Sequence, residues 1–556
     1  MSDRHGKSVL VLGAGTMQLP AVLAARRRGW RVAVAAPSAR EPAVALADEH
    51  LRCDLTDVPA LVAAAGALAG AGGLDGVFTA GTDFSHSVAC VAESLGLPGV
   101  APEVAERATD KGRMRATLAA AGVPVPSYAV VGQGGGAAVD AQLRAAAEVP
   151  LPAVVKPVDN MGARGVVRVD SPSQLDAAID GARAQSRSGQ AVVEQYMAGP
   201  ELSIDALVCD GRVTICGIAD RDIRFPPYFI EMGHTLPSAL APAQLSDATE
   251  VFRAAIAAVG IRNGAAKGDV MVTDEGAKIG EIAARLSGGY MSGWTYPYAT
   301  GVDLTGAGLE IAVGAPAPDL AGALEPRWQR VSAERAFLSI PGRVQSIDGT
   351  EEAQCVASVR DLFVRVASGQ DVDLPTSNVE KCGNVIACHD SRDAAVEAAL
   401  VATQTVTVRL EPGNDRTEAF LFGQDQRVGA FGDAGQRQLA RIEAESAAAA
   451  VSGAAPPPPS SGGADAHGAV AVVGHPELLA SDMRDWHGLQ VADAAHRALE
   501  LGRGRLVTAA SGIGGSTRCI DRMFWRALLR GSVQGALYVL DRERRAGGDS
   551  EARCAA

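Results

Sequence analysis

Gly268-Asp269-Val270-Met271-Val272-Thr273-Asp274-Glu275-Gly276-Ala277-Lys278-Ile279-Gly280-Glu281-Ile282-Ala283-Ala284-Arg285-Leu286 is the stretch on which the fold turns. Two apolar runs flank the turn residues Thr273 to Gly276, so they read as adjacent strands of a hairpin. Counting inward from the turn, Asp269 and Glu281 face the same side and lie near each other. Two carboxylates on neighbouring strands repel unless a cation sits between them, and an all-oxygen ligand set suits Mg2+. Arg285, four residues on, projects towards the same place.

Upstream, Ala153-Val154-Val155-Lys156-Pro157 is a strand ending in a lysine, followed by a loop carrying Gly162 and Gly165. Such a loop between two strands can fold its amides around phosphate oxygens while a nearby ammonium neutralises them. A plain hairpin is the competing reading. Ala191 to Met197 forms another strand running into a hinge. There Glu194, Gln195, Tyr196 and Met197 offer backbone groups and a carboxylate to an adenine edge. Glu201, seven residues after Glu194, is placed to accept from ribose hydroxyls, although each acid alone also fits a solvated surface.

Taken in order, these segments resemble the ATP-grasp superfamily: Lys111 within Thr109-Asp110-Lys111, Val155-Lys156-Pro157 with its glycine loop, Glu194 to Glu201, Asp269, and Glu281 to Leu286. The resemblance covers about residues 7–425. It implies that Lys111 and Lys156 contact ATP phosphates, with Gly162 and Gly165 in the loop above them. Glu194, Gln195, Tyr196 and Met197 would then meet adenine, and Glu201 the ribose. Asp269 and Glu281 would hold Mg2+, with Mn2+ as the substitute, and Arg285 would stabilise a transferred phosphoryl group or acyl phosphate. Many members carry Asn two residues after the second metal carboxylate. This chain has Ala283 there, so one oxygen ligand is lost and water or another residue must replace it. Asp at 269, where Glu is common, keeps the charge.

Within the superfamily, Pro227-Tyr228-Phe229-Ile230-Glu231-Met232-Gly233-His234-Thr235-Leu236-Pro237-Ser238 and Arg285-Leu286-Ser287-Gly288-Gly289 are similar to the L-amino acid ligases, which make dipeptides and related amides. That similarity implies that Glu231 neutralises a substrate ammonium and that His234 lies near the reacting carboxylate. The alternative is a surface Glu beside a loop His. Arg221 and Arg224 either recognise a substrate carboxylate or are solvated. The expected activity is an ATP-dependent carboxylate–amine ligase working through an acyl phosphate. Its competitors are a carboxylase that phosphorylates bicarbonate and a non-catalytic nucleotide binder. The expected partners are small carboxylates and amines, and the resemblance allows a homodimer.

The N-terminal hundred residues alternate short apolar strands (Ser8 to Leu12, Trp30 to Ala35, Gly76 to Thr79) with helices, as in a parallel α/β sheet. Gly13-Ala14-Gly15-Thr16-Met17-Gln18 follows the first strand as a dinucleotide fingerprint would, but Gln18 replaces the third glycine. A structural turn is the better reading, and NAD is not implied. The expected fold class is therefore multidomain α/β and α+β. Residues 1–106 form a parallel α/β domain, 107–325 the nucleotide-binding grasp, and 326–446 an α+β part of the ligase. A Pro/Ser/Gly-rich linker (447–468) precedes a separate small α/β module (469–556). In that tail, Arg505 to Thr508 reads as a strand and Ser511 to Thr517 as a glycine-rich turn.

Composition narrows the classes. The 556 residues carry 51 Lys+Arg against 64 Asp+Glu, a net charge of −13, which is no footprint for a nucleic-acid partner. No apolar run is long and continuous enough to span a bilayer. Nine dispersed cysteines without CxxC spacing suggest reduced thiols in the cytoplasm and no zinc site. Lysine is confined to positions 7, 111, 156, 267, 278 and 381, so each internal Lys carries extra weight.

Overall fold

The computed structural model describes residues 6–315, 328–423, 425, 427–452, 476–502 and 522–554. The chain forms two compact units. The first comprises Met1–Arg335, Thr376–Val379 and Ile386–Val396; the second comprises Ala336–Pro375, Glu380–Val385 and Glu397–Ala556.

The first unit begins with β1 (Ser8–Leu12), β2 (Arg31–Ala35), β3 (Glu49–Leu51) and β4 (Gly76–Phe78), a parallel sheet in the order β3-β2-β1-β4. Every residue of β1 is buried. Val9 and Val11 enter one core, Leu10 and Leu12 the other, as expected of a parallel strand covered on both faces. Gly13 turns with φ +88°, and the Gln18 side chain fills the space beneath it, its amide oxygen accepting the Gly15 N–H at 3.1 Å. Gln18 is itself buried. The turn is thus closed by protein, as the missing third glycine suggests.

Two antiparallel sheets follow. The smaller has the order β5-β8-β6-β7, from β5 (Tyr128–Val131), β6 (Ala153–Pro157), β7 (Val167–Val169) and β8 (Ala191–Gln195). Its apolar face packs on the helices Ala137–Ala147 and Leu175–Gln185. The larger runs β13-β12-β9-β10-β11-β14 within this unit. Its strands are β9 (Glu201–Cys209), β10 (Arg212–Arg224), β11 (Ile230–Leu236), β12 (Gly264–Thr273), β13 (Gly276–Ala283) and β14 (Val331–Phe337). Helix Pro242–Val259 covers one face through Phe252, Ala255 and Ile256, and ends at Gly260 in the left-handed region, an ordinary glycine stop. The expected turn at Thr273 to Gly276 is where β12 passes into β13.

Along the chain β15 (Gly342–Asp348), β16 (Val359–Val364), β17 (Asp371–Val372), β18 (Gly383–His389) and β19 (Thr407–Leu410) come next. In the second unit β17, β15 and β19 form a three-stranded sheet. Helix Arg392–Thr405 leads almost directly into β19.

The tail departs from its expected independence. Its described residues are mainly helical (Val491–Leu501 and Arg522–Cys554) and pack on the rest of the second unit. Tyr538 Oη donates to Glu418 Oε1 at 2.9 Å, and Arg530 donates through Nε and Nη2 to the Phe420 carbonyl. Gln534 Nε2 donates to the Val408 carbonyl at 2.7 Å. The apolar tail face (Phe524, Trp525, Leu528, Leu537) is buried, so it behaves as core rather than as an appended module. The helix Gly432–Ser452 also reaches into the segment expected to be linker. The strand and glycine turn expected at 505–517 lie outside the described residues. Among the described residues, no helix is long and apolar enough to cross a membrane.

Candidate active site

The site is assembled by strand register. In the β12–β13 hairpin Asp269 and Glu281 are direct cross-strand partners, with a bulge immediately after Asp269. Like charges directly opposite destabilise a sheet unless cations answer them. Here Lys267, two residues along the same face, pairs with Asp269, and Lys111 Nζ lies 3.8 Å from Glu281 Oε1. Burial alone would push the Glu281 carboxyl up; Lys111, Lys267, Lys156 and Arg285 outweigh it and hold it at about 2. Asp269 Oδ1 is buried and accepts no hydrogen bond from the described residues, with Arg221 Nη1 at 3.1 Å as a neighbouring charge. Two facing carboxylates supply the hard oxygen donors that a divalent cation takes. The chemistry of the pair therefore fits Mg2+, which Asp269 and Glu281 would hold. Ala283 adds no oxygen. No cluster of three or more His, Cys, Asp or Glu side chains poised for a metal occurs among the described residues.

Lys111 and Arg115 occupy one face of helix Lys111–Ala120 by their spacing of four. Asp110 caps that helix, accepting the Arg113 N–H at 2.9 Å. Lys111 Nζ donates to the Asn160 carbonyl at 2.7 Å, at the start of the glycine loop. Arg115 donates Nε to Glu194 Oε1 at 2.7 Å and Nη2 to the Gly280 carbonyl at 2.6 Å. Glu194 Oε2 also meets Lys156 Nζ at 2.7 Å. Burial would raise the Glu194 carboxyl, but Arg115 and Lys156 keep it below the usual range. Glu194 thus faces two cations. In the hinge, the amides of Gln195 and Tyr196 donate to the Ser127 and Pro152 carbonyls, and the Arg168 guanidinium lies 4.5 Å from the Tyr196 ring centre. Gly165 sits at φ +71°, where an added Cβ would stand 2.9 Å from Pro157 Cγ, so only glycine fits the loop there.

On β10 and β11, Arg221 answers three carboxylates: it pairs with Glu201, and meets Glu231 Oε2 at 2.8 Å and Asp269 Oδ1 at 3.1 Å. A bulge after Asp222 shifts the β10–β11 register. Arg221 is therefore neither solvated nor free for a substrate carboxylate, and Glu201 is tied to it in this structure. Arg224 is the more exposed of the two arginines and pairs with Asp222 at 2.8 Å. Glu231 and His234 lie on β11 itself, not on a loop. His234 is buried, with Nε2 2.7 Å from Thr295 Oγ1 and Nδ1 3.4 Å from Glu334 Oε2. Gly233 approaches β14 so closely that a Cβ would stand 2.0 Å from the Glu334 carbonyl. Asp205, fully buried, accepts from the Ser287 amide at 2.8 Å and hydroxyl at 2.5 Å, fixing the loop that carries Arg285; burial raises it to about 6.

Lys267, Arg115, Asp205 and Glu334 are the residues that sequence reasoning passed over. Lys267 carried a signal: a rare lysine two residues from Asp269 on one strand face. Glu334 carried none, because its place beside His234 depends on β11 pairing with β14.

A family model for the ATP-grasp domain matches residues 149–293, and one for the L-amino acid ligase C-terminal domain 2 matches 336–411. The uncharacterized protein y4rH of Sinorhizobium fredii is 28% identical over 372 residues, which cover 66% of this chain and 75% of that protein. Carnosine synthase 1 of Gallus gallus is 27% identical over 350 residues, covering 58% of this chain but only 37% of that protein. Among solved structures, an L-amino acid ligase from Bacillus licheniformis superposes with a TM-score of 0.64 at 22% identity, covering 74% of this chain and all of that one, a likeness of fold. With the paired carboxylates and the glycine loop in register, the chain carries an ATP-grasp domain over residues 149–293 and, beyond it, an L-amino acid ligase C-terminal domain 2 over 336–411.

Proposed function

We propose that this chain is a Mg-ATP-dependent carboxylate–amine ligase that forms an amide or peptide bond on an amino acid or related small acid, through an acyl phosphate, with release of ADP and phosphate. The observation that carries the reading is Arg221. One guanidinium touches Asp269, on the phosphate side, and Glu231, in the pocket, so nucleotide and amino acid would meet within one side chain's span.

The residues take these parts. Lys111 and Lys156 hold phosphate oxygens, Lys156 turning from Glu194. The hinge Glu194 to Met197 takes the adenine edge and Glu201 the ribose. Asp269 and Glu281 would hold Mg2+, which when bound neutralises charge on the phosphate oxygens. Glu231 neutralises the ammonium of the amino acid, leaving its carboxylate directed at the γ-phosphoryl group, with His234 beside it. A carboxylate oxygen bonds to the γ-phosphorus as ADP leaves. The amine then bonds to the acyl carbon, loses its proton, and phosphate leaves. Arg285 spreads the charge that develops on the phosphoryl oxygens. The glycine loop excludes water, which would otherwise take the place of the amine.

The test is phosphate release from Mg-ATP across amino acids, singly and in pairs, with mass detection of the product and Glu281→Gln as the blank. Release that needs an acid and an amine, with an amide product, supports the ligase. Release driven by bicarbonate contradicts it in favour of the carboxylase.

A further inference from the structure

The glycine loop and the Glu231 strand are joined by one residue that belongs to neither. Asn378 opens the short 3-10 helix Asn378–Glu380 and lies 147 positions beyond Glu231. Its segment Thr376–Val379 belongs to the first compact unit, although the chain on either side belongs to the second. The Asn378 backbone N–H donates to the Gly162 carbonyl at 2.8 Å. Its side-chain Oδ1 accepts the Glu231 N–H, also at 2.8 Å. Val379 Cγ1 stands 3.8 Å from where a Gly162 Cβ would be. The loop these contacts hold has left-handed backbone at Gly162 (φ +69°) and at Ala163 (φ +60°). A Cβ is disfavoured in that region, so at Ala163 this conformation draws on an outside partner to persist.

We propose that Asn378 is a positioning residue that latches the glycine loop to the Glu231 strand, coupling closure of the lid to the amino-acid pocket. The geometry stands without the ligase reading; the consequence for catalysis rests on it. When the pocket strand is in place, Asn378 is fixed by its side chain, and its backbone then fixes Gly162. Closure of the loop over the phosphates is thereby favoured when the amino acid is held by Glu231. An acyl phosphate formed under a latched lid goes to the amine; under a loose lid, water takes a larger share.

The experiment compares wild type, Asn378→Ala and Asn378→Asp in the full chain by two readouts. The first is hydrogen exchange with Mg-ATP, read in peptides covering 159–166 and 229–233. Loss of one net hydrogen bond, about 1 kcal/mol, predicts about fivefold faster exchange in both segments for Asn378→Ala. Asn378→Asp keeps the acceptor and stays near wild type. The second is phosphate released per amide formed, which rises about fivefold in Asn378→Ala and returns towards wild type in Asn378→Asp. Unchanged exchange in both segments, or phosphate and amide falling together at a constant ratio, overturns the proposal. Should Asn378→Ala not fold, Asn378→Ser takes the same two measurements with the same criteria. If the wild type makes no amide with any amino acid, the ligase reading fails, and the exchange result alone decides the latch.

Discussion

Arg115 is fully buried and spends two of its nitrogens on Glu194 and a third contact on the Gly280 carbonyl, so it ties the small sheet to the β12–β13 hairpin. A buried pair is costly to break, because the surviving charge stays desolvated. Arg115→Ala is therefore expected to destabilise the first unit by about 3–5 kcal/mol in urea unfolding followed by fluorescence, whether or not nucleotide is present. Glu281→Gln has the opposite profile. On the proposed function it leaves the fold intact and lowers phosphate release by about a hundredfold or more, since it removes one of the two carboxylates proposed to hold Mg2+. Asp205 gives a pH signature. Its folded pKa, about 6, lies above the ordinary aspartate value, so the native state holds a proton the unfolded chain has already lost. Asp205 thus contributes stability below about pH 4 that is lost as pH rises to 6, an amount on the order of 3 kcal/mol. In Asp205→Asn, whose amide cannot ionise, the fall in stability between pH 4 and 6 should be smaller by that amount; equal slopes in the two proteins would contradict it.

At the scale of elements, the glycine loop is specified by sterics. Gly165→Ala places a Cβ against Pro157 at positive φ, and is expected to raise the KM for ATP about tenfold while leaving the melting temperature within a few degrees. Much of this level was legible in the chain. The β12–β13 hairpin, its turn and the facing of Asp269 on Glu281 follow from period-two alternation around Thr273 to Gly276. The parallel N-terminal sheet follows from short apolar runs, and the Gln18-filled turn from a missing glycine. What was not legible depends on sheet order. Arg221 reads as a solvated or substrate-facing cation until β10 is set between β9 and β11, which surrounds it with Glu201 and Glu231. Glu334 and Asn378 reach the site only through long-range pairing, for which local pattern has no signal.

At the scale of the molecule, the tail packs as part of the second unit. Arg542 and Tyr538 converge on Glu418, and Trp525, Phe524 and Leu528 are buried. A chain ending at residue 475 is therefore expected to lose the cooperative unfolding of the second unit and become protease-sensitive between 336 and 423; a truncated chain with unchanged calorimetric transitions would show that the tail is dispensable. The pattern Pro456-Pro457-Pro458-Pro459 followed by Ser and Gly reads as a boundary in sequence, yet a linker fixes only connection, and the apolar faces beyond it decide where the tail packs. The proposed reaction would also draw on several segments of the first unit, because the grasp residues, the pocket strand and the Asn378 segment would act on one acyl group. Its most direct test uses an amino acid that stimulates phosphate release, with both carboxylate oxygens replaced by oxygen-18, and mass analysis of the phosphate. An acyl phosphate predicts one oxygen-18 atom in each released phosphate alongside an equal amount of amide; unlabelled phosphate would contradict activation of the carboxylate and leave the chain an ATPase.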